Sequence, residues 1–166
     1  QLLEKDVEWH WTKTHQDSFE SLKKAISTAP VLKFYNPHAE IELHADASKD
    51  GLGACIIQGG RPIAYASRAL NKSEQNYAQI EKEMVSIVFG ATRFHEYIYG
   101  NNVTCYNDHK PLESLYKKPL SSAPPRIQRF MLKIQKYNLD VKYKPGKEMV
   151  IPDALSRAYL KDNDKS

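Results

Sequence analysis

Four acidic residues are placed where carboxylates could do chemistry: Asp46 inside an alternating apolar segment, Glu83 beside a helical apolar stripe, Asp108 closing a strand-like run, and Asp153 just after Pro152. Hard divalent cations such as Mg²⁺ take oxygen ligands and keep several waters. A cluster of acids can therefore hold two such ions about 3.5–4 Å apart across a phosphodiester, for an in-line displacement that needs no His or Ser nucleophile. Each acid also has an ordinary structural use. Asp is a favoured helix cap and acids suit a first helical turn, which is the better account of Asp108 and Asp153 taken singly. Glu83 and Glu81 border the same apolar stripe on opposite sides, so helical geometry leaves the choice between them open. Asp46 has the strongest case for function, because an acid in the middle of a strand is disfavoured unless it is paired or bound to a cation. His44 and His109 neighbour Asp46 and Asp108, but no third ligand at metal spacing makes a zinc site of them.

The elements that must carry these acids follow from periodicity. From Glu40 the period is two, with Ile41, Leu43, Ala45 and Ala47 on one face and Glu42, His44, Asp46 and Ser48 on the other. A tight turn at Asp50-Gly51, the apolar GACIIQ, a Gly59-Gly60 turn and RPIAYAS complete an antiparallel meander of three strands. Between 73 and 98 the apolar residues Tyr77, Ile80, Met84, Ile87, Val88, Ala91, Phe94 and Ile98 step by three or four, which predicts one long helix ended by Gly100. NVTCYND (102–108) reads as a fourth strand, HKPLESLYK and RIQRFMLKIQK as helices, NLDVKYK as a fifth strand, and DALSRAYL as a last helix after Pro152. KKPLSSAPP (117–125) is a Pro/Ser loop. Ahead of the strands, Thr14 with Asp17 resembles a capping box opening a helix that Ala29-Pro30 stops. The order βββαβααβα predicts a mixed five-stranded α/β sheet flanked by helices, in one domain over 39–160, with a connecting segment at 1–38 and a polar tail at 161–166.

Composition bounds the rest. At 166 residues, 41% hydrophobic and 27% charged, the chain supports one core. No apolar run approaches the roughly 20 residues that span a bilayer, and QLLEKDVEWH lacks the pattern of a signal peptide, so neither membrane nor export is expected. Gln1 in place of Met is expected of a piece of a longer polypeptide. Cys55 and Cys105 lie in apolar or aromatic stretches and read as buried, reduced thiols. The net charge of +4 is uneven: residues 109–150 carry ten Lys/Arg against three Asp/Glu, a surface suited to phosphates or simply to water.

Four segments in order, HADASKDGLGACIIQ (44–58), YAQIEKEMVSIVFGATRFHEYIYG (77–100), NDHKPLESL (107–115) and KYKPGKEMVIPDALSR (142–157), closely resemble the RNase H region of gypsy-type LTR retrotransposon reverse transcriptases. WTKTHQDSFESLKKAISTAPVL resembles the segment that links this family's polymerase part to its RNase H. The resemblance implies an RNase H fold and two Mg²⁺ ions, for which Mn²⁺ can substitute. It implies endonucleolytic cleavage of the RNA strand of RNA/DNA hybrids during reverse transcription, leaving a 3′-hydroxyl. Asp46, Glu83, Asp108 and Asp153 match the metal-binding, catalytic carboxylates, the EKE pattern favouring Glu83 over Glu81. Candidate substrate contacts are Ser48, Gly51, Asn107, Lys110, Arg126, Arg129 and Arg157. Implied partners are the hybrid and the polymerase and connection domains of the same reverse transcriptase, with no membrane. The implied location is cytoplasmic, within a virus-like particle.

Three positions depart from the family pattern. Asn107 stands where Thr is usual before the third acid. Met149 replaces an Asn four residues before the last acid and cannot hydrogen-bond in the same way. KYKPGKEMVIPD lacks the mobile His that cellular and retroviral members carry. Weaker support for the carboxylates is the expectation from the first two. The competing reading is a catalytically reduced module that tethers or binds hybrid without cutting; an integrase-like nuclease fits the DALSR ending less well. No aromatic-Xaa-Asp-Asp or Asp-Thr/Ser-Gly motif occurs, so polymerisation and proteolysis would belong to other sequence.

Overall fold

The computed structural model describes residues 32–157 together with positions 13, 16, 17, 19, 20, 23 and 24. Those isolated positions are helical and exposed, in keeping with a leading helix; its predicted cap at Thr14 and its stop at Ala29-Pro30 lie outside the described residues, as do 158–160 of the predicted last helix.

Five strands form one sheet in the order β3-β2-β1-β4-β5. β1 (Ile41–Ala47), β2 (Gly51–Gln58) and β3 (Arg61–Ala69) make the antiparallel meander, and β4 (Asn102–Asn107) and β5 (Asn138–Tyr143) add parallel to it. The β2–β3 turn uses Gly59 and Gly60, both at positive φ, the backbone that a tight hairpin demands. β1 is central, and Leu43 and Ala45 on its helix-facing side are fully buried.

The helix predicted over 73–98 is three pieces: α1 (Lys72–Gln75), α2 (Gln79–Arg93) and α3 (His95–Ile98). Capping chemistry explains the breaks. Asn71 and Glu74 close a capping box on α1, whereas the Ala78 backbone is extended and its N–H donates to the Glu81 side chain, which restarts the helix. Periodicity alone ran through both ends because apolar spacing survives the interruption. α2 lays Met84, Ile87 and Ala91 on the sheet, followed by Phe94 and Ile98, in a core shared with Leu43, Ile56, Cys105, Ile127 and Ile134. Each large side chain fully buried there contributes about 1.5–3 kcal/mol relative to exposure. Cys55 on β2 and Cys105 on β4 are free, fully buried thiols on the two strands flanking β1, and burial pushes each up to about 12.

α4 (Lys110–Tyr116) and α5 (Pro125–Ile134) follow β4, separated by a 3-10 turn at Leu120–Ser122 within the expected loop. The last helix, α6 (Val150–Arg157), begins three residues before Asp153 instead of after Pro152. Pro152 is tolerated because the N–H it lacks falls in the first turn, where no helical acceptor exists. α2 and α6 pack on β1 and β2, and α2 also contacts α5. Among the described residues no helix is long and apolar enough to cross a membrane.

Candidate metal centre

Three elements deliver carboxylates to one end of the sheet. Asp46 sits near the end of β1, Glu83 in the second turn of α2, and Asp108 just past the end of β4, where strand termini of an α/β sheet open toward solvent. Because β1 and β4 run parallel, their carboxyl ends coincide. One oxygen from each of the three acids lies within 4.8 Å of the others. No His or Cys belongs to this group among the described residues; His44 instead hydrogen-bonds Glu42 at 2.7 Å and stands edge-on to Tyr106.

Asp46 and Glu83 are 5% and 2% exposed, so both carboxylates have lost most of their hydration. Burial pushes Asp46 up to about 6, with the charges of Asp108 and Asp153 adding, against the opposing Ser156 hydrogen bond and Arg157. Burial pushes Glu83 up to about 8, with Asp46 and Asp108 adding and hydrogen bonds from Asn107 and Gln79 opposing. Crowded, desolvated acids with elevated proton affinity form a strong electrostatic demand for cations. The Glu81/Glu83 alternative resolves geometrically: Glu81 caps Ala78 and pairs with Arg126, leaving Glu83 to enter the cluster.

Neutral side chains orient the acids. Asn107 Nδ2 donates to Glu83 Oε2 and to the Ala45 carbonyl, both at 2.9 Å, while its Oδ1 accepts the His109 N–H. Asn107 is 1% exposed, so among the expected substrate contacts it is the one whose amide is spent inside the protein, on Glu83 and Ala45. Ser156 Oγ donates to Asp46 Oδ2 at 2.7 Å, and Ser48 Oγ reaches the Ser156 carbonyl at 2.6 Å. Gln79 and Ser156 are supports that sequence reasoning missed; the serine in DALSR carries no local sign of its partner 110 residues away.

Asp153 stands apart from the cluster of three. It occupies the first turn of α6, its N–H bonding the Met149 carbonyl, and its side chain pairs with Arg157 Nη2 at 2.7 Å. It is therefore not the helix cap its position after Pro152 implied. Asp108 is not a cap either, since His109 precedes α4. Met149 is 1% exposed and packs in the interior.

The expected contacts divide accordingly. Gly51 and Ser48 close the β1–β2 turn on each other. Lys110 and Arg129 are exposed. Arg126 is engaged: its Nη1 donates to both oxygens of Glu81 at 2.8 Å and its guanidinium lies 4.3 Å from the Tyr77 ring centre. Arg157 is held by Asp153.

A sequence profile of the family described as "RNase H-like domain found in reverse transcriptase" matches residues 11–105. The Pol polyprotein of the gypsy transposon of Drosophila melanogaster is 34% identical over 160 residues, covering 95% of this chain and 15% of the polyprotein. The chain thus spans about a seventh of that relative. Among solved structures, the foamy viral protease-reverse transcriptase in complex with RNA/DNA hybrid superposes with a TM-score of 0.59 at 21% identity, covering 95% of this chain and 21% of that one. RNase H1 of the archaeon Halobacterium salinarum superposes with a TM-score of 0.55 at 15% identity over 74% of this chain and 99% of its own.

Proposed function

Because this chain belongs to the RNase H-like domains found in reverse transcriptases, we propose that it is an endoribonuclease that hydrolyses the RNA strand of RNA/DNA hybrids, its carboxylates holding two Mg²⁺ ions or Mn²⁺ in their place. The observation that carries this reading is the convergence of Asp46, Glu83 and Asp108, from two strand ends and a helix, with ligand oxygens within 4.8 Å. The donor set is all oxygen, which suits a hard cation and not zinc. Two buried acids driven upward by burial and mutual repulsion fit a divalent group better than they fit any side chain beside them.

Cations bound there would supply an ionised water and neutralise charge on the leaving oxygen. The protein's own residues perform the rest. Asp46, held by Ser156, and Glu83, held by Asn107 and Gln79, present oxygens whose directions are set before substrate arrives. Asp108 is the most exposed of the three and so the one most open to solvent. Asp153 would join them as the fourth carboxylate, its side chain here paired with Arg157.

Substrate choice then follows backbone chemistry: the 2′-hydroxyl marks the RNA strand, and groove shape guides docking without base readout. The structurally similar foamy viral enzyme is described in complex with RNA/DNA hybrid, which supports that substrate class. Polymerase and connection domains of the same polyprotein are the proposed partners, in a cytoplasmic virus-like particle.

The test is cleavage of an end-labelled RNA/DNA hybrid with Mg²⁺ by the wild type and Asp46→Asn. The variant keeps size and shape but deletes ligand charge, so products ending in a 3′-hydroxyl should appear for the wild type alone. Hybrid binding without cleavage by the wild type would instead identify a reduced, binding-only module.

A further inference from the structure

Ser156 makes contacts that a serine does not need merely to sit on a short helix. Its hydroxyl lies 2.7 Å from Asp46 Oδ2, its carbonyl accepts the Ser48 hydroxyl at 2.6 Å, and its own side chain is 0% exposed. Its backbone is pressed against β2: a Cβ built at Gly53 would stand 2.6 Å from Ser156 N, and Gly53 is the residue paired with Asp46 across the sheet. The serine is thereby pinned on two sides, with its hydroxyl aimed at the carboxylate.

We propose that Ser156 is a positioning residue of the metal centre, fixing the rotamer of Asp46 so that one oxygen is committed to the protein and the other is presented to the cation. This inference rests on the metal-dependent reading above. The competing local role is a bond back to the Asp153 carbonyl, which lies 2.9 Å from the same hydroxyl, a common habit of serine in helices. A hydroxyl has one hydrogen, and the charged acceptor is both closer and stronger, so the hydrogen goes to Asp46. Asp46 sits on a strand and Ser156 on the last helix; their bond ties that helix to the ligand geometry instead of merely closing its own turn.

The experiment titrates the metal-free domain with Mn²⁺ alone, without nucleic acid, by calorimetry and by loss of the free-ion paramagnetic signal. Wild type, Ser156→Ala and Ser156→Cys are compared, each with a thermal melt in chelator. The thiol keeps roughly the shape of the hydroxyl and donates weakly, separating packing from hydrogen bonding. Both variants should bind Mn²⁺ about 10–100-fold more weakly while melting cooperatively. Ser156→Ala with wild-type Mn²⁺ affinity overturns the inference and leaves the metal centre standing. Ser156→Cys retaining wild-type affinity while Ser156→Ala loses it assigns the effect to packing and also overturns it. Absence of Mn²⁺ uptake by the wild type overturns the metal-centre reading itself.

Discussion

Gly53→Ala places a methyl carbon where the last helix already is. An ideal Cβ there would lie 2.2 Å from the Pro152 carbonyl oxygen, 2.6 Å from Ser156 N and 2.8 Å from Leu155 Cβ, two of the three being backbone atoms that no rotamer change can remove. Ordinary contact begins near 3.4 Å, so α6 or β2 must withdraw by about 1 Å. β2 is buried along its whole length and paired on both edges, whereas α6 is a short helix; the helix is what moves. Overpacking of this kind costs about 1–3 kcal/mol. The larger effect falls on the chemistry, because α6 carries Asp153 and the hydroxyl that holds Asp46. A displacement of about 1 Å in a positioning element costs on the order of 10²-fold in rate. Single-turnover cleavage of a hybrid at saturating Mg²⁺, alongside a urea melt, measures both. A variant that still folds cooperatively but cuts about 10²-fold more slowly fits the reasoning. Wild-type turnover with unchanged stability refutes it, since the helix could not then be seated against Gly53.

Four further substitutions test other parts of the site. In chelator, Glu83 is raised to about 8, above its ordinary 4.5, so the folded state holds a proton that the unfolded chain releases; that stabilisation is complete below 4.5 and is lost as pH climbs toward 8. Glu83→Gln should flatten the decline, on the order of a few kcal/mol, in urea melts between pH 5 and 8.5; parallel curves for the two proteins would exclude a protonated Glu83. Asn107→Leu removes the donor shared by Glu83 and Ala45 and should destabilise the metal-free fold by about 1.5–3 kcal/mol, read from denaturant midpoints, with a negligible change contradicting the bridging role. Arg129→Ala should shallow the salt dependence of hybrid binding by about one ion, whereas Arg126→Ala, whose guanidinium is spent on Glu81 and Tyr77, should change the slope little and stability by about 1 kcal/mol; equal slopes for both variants would remove Arg129 from the phosphate-contacting surface.

The strands and the order of elements were readable because period two and turn residues are local signals: Ile41 to Ala47 alternates, and Gly59-Gly60 can only be a turn. Motif order singles out Asp46, Glu83 and Asp108, the three acids whose oxygens the structure brings within 4.8 Å of one another. What resisted reading was set by tertiary hydrogen bonds. Nothing near Glu81 says that Arg126 will claim it, nothing near Asn107 says that its amide will bridge Glu83 and Ala45, and Ser156 meets Asp46 only once α6 folds back over β2. The breaks at 76–78 and Phe94 were hidden for the opposite reason, since the apolar spacing continues across residues whose backbone leaves the helix. The start of the last helix lies three residues ahead of the predicted one because Pro152, which reads as a boundary, is a first-turn residue.

The two sulfhydryls bracket the strand that bears Asp46, one on each neighbouring strand, and neither is accessible. With burial lifting both to about 12, almost no nucleophilic thiolate exists at neutral pH, so alkylating reagents must wait for the packing around them to open. The wild-type chain consequently carries its own reporter of opening around the middle of the sheet: the rate at which iodoacetamide modifies Cys55 and Cys105, followed by mass, counts the excursions in which the packing over their strands lifts.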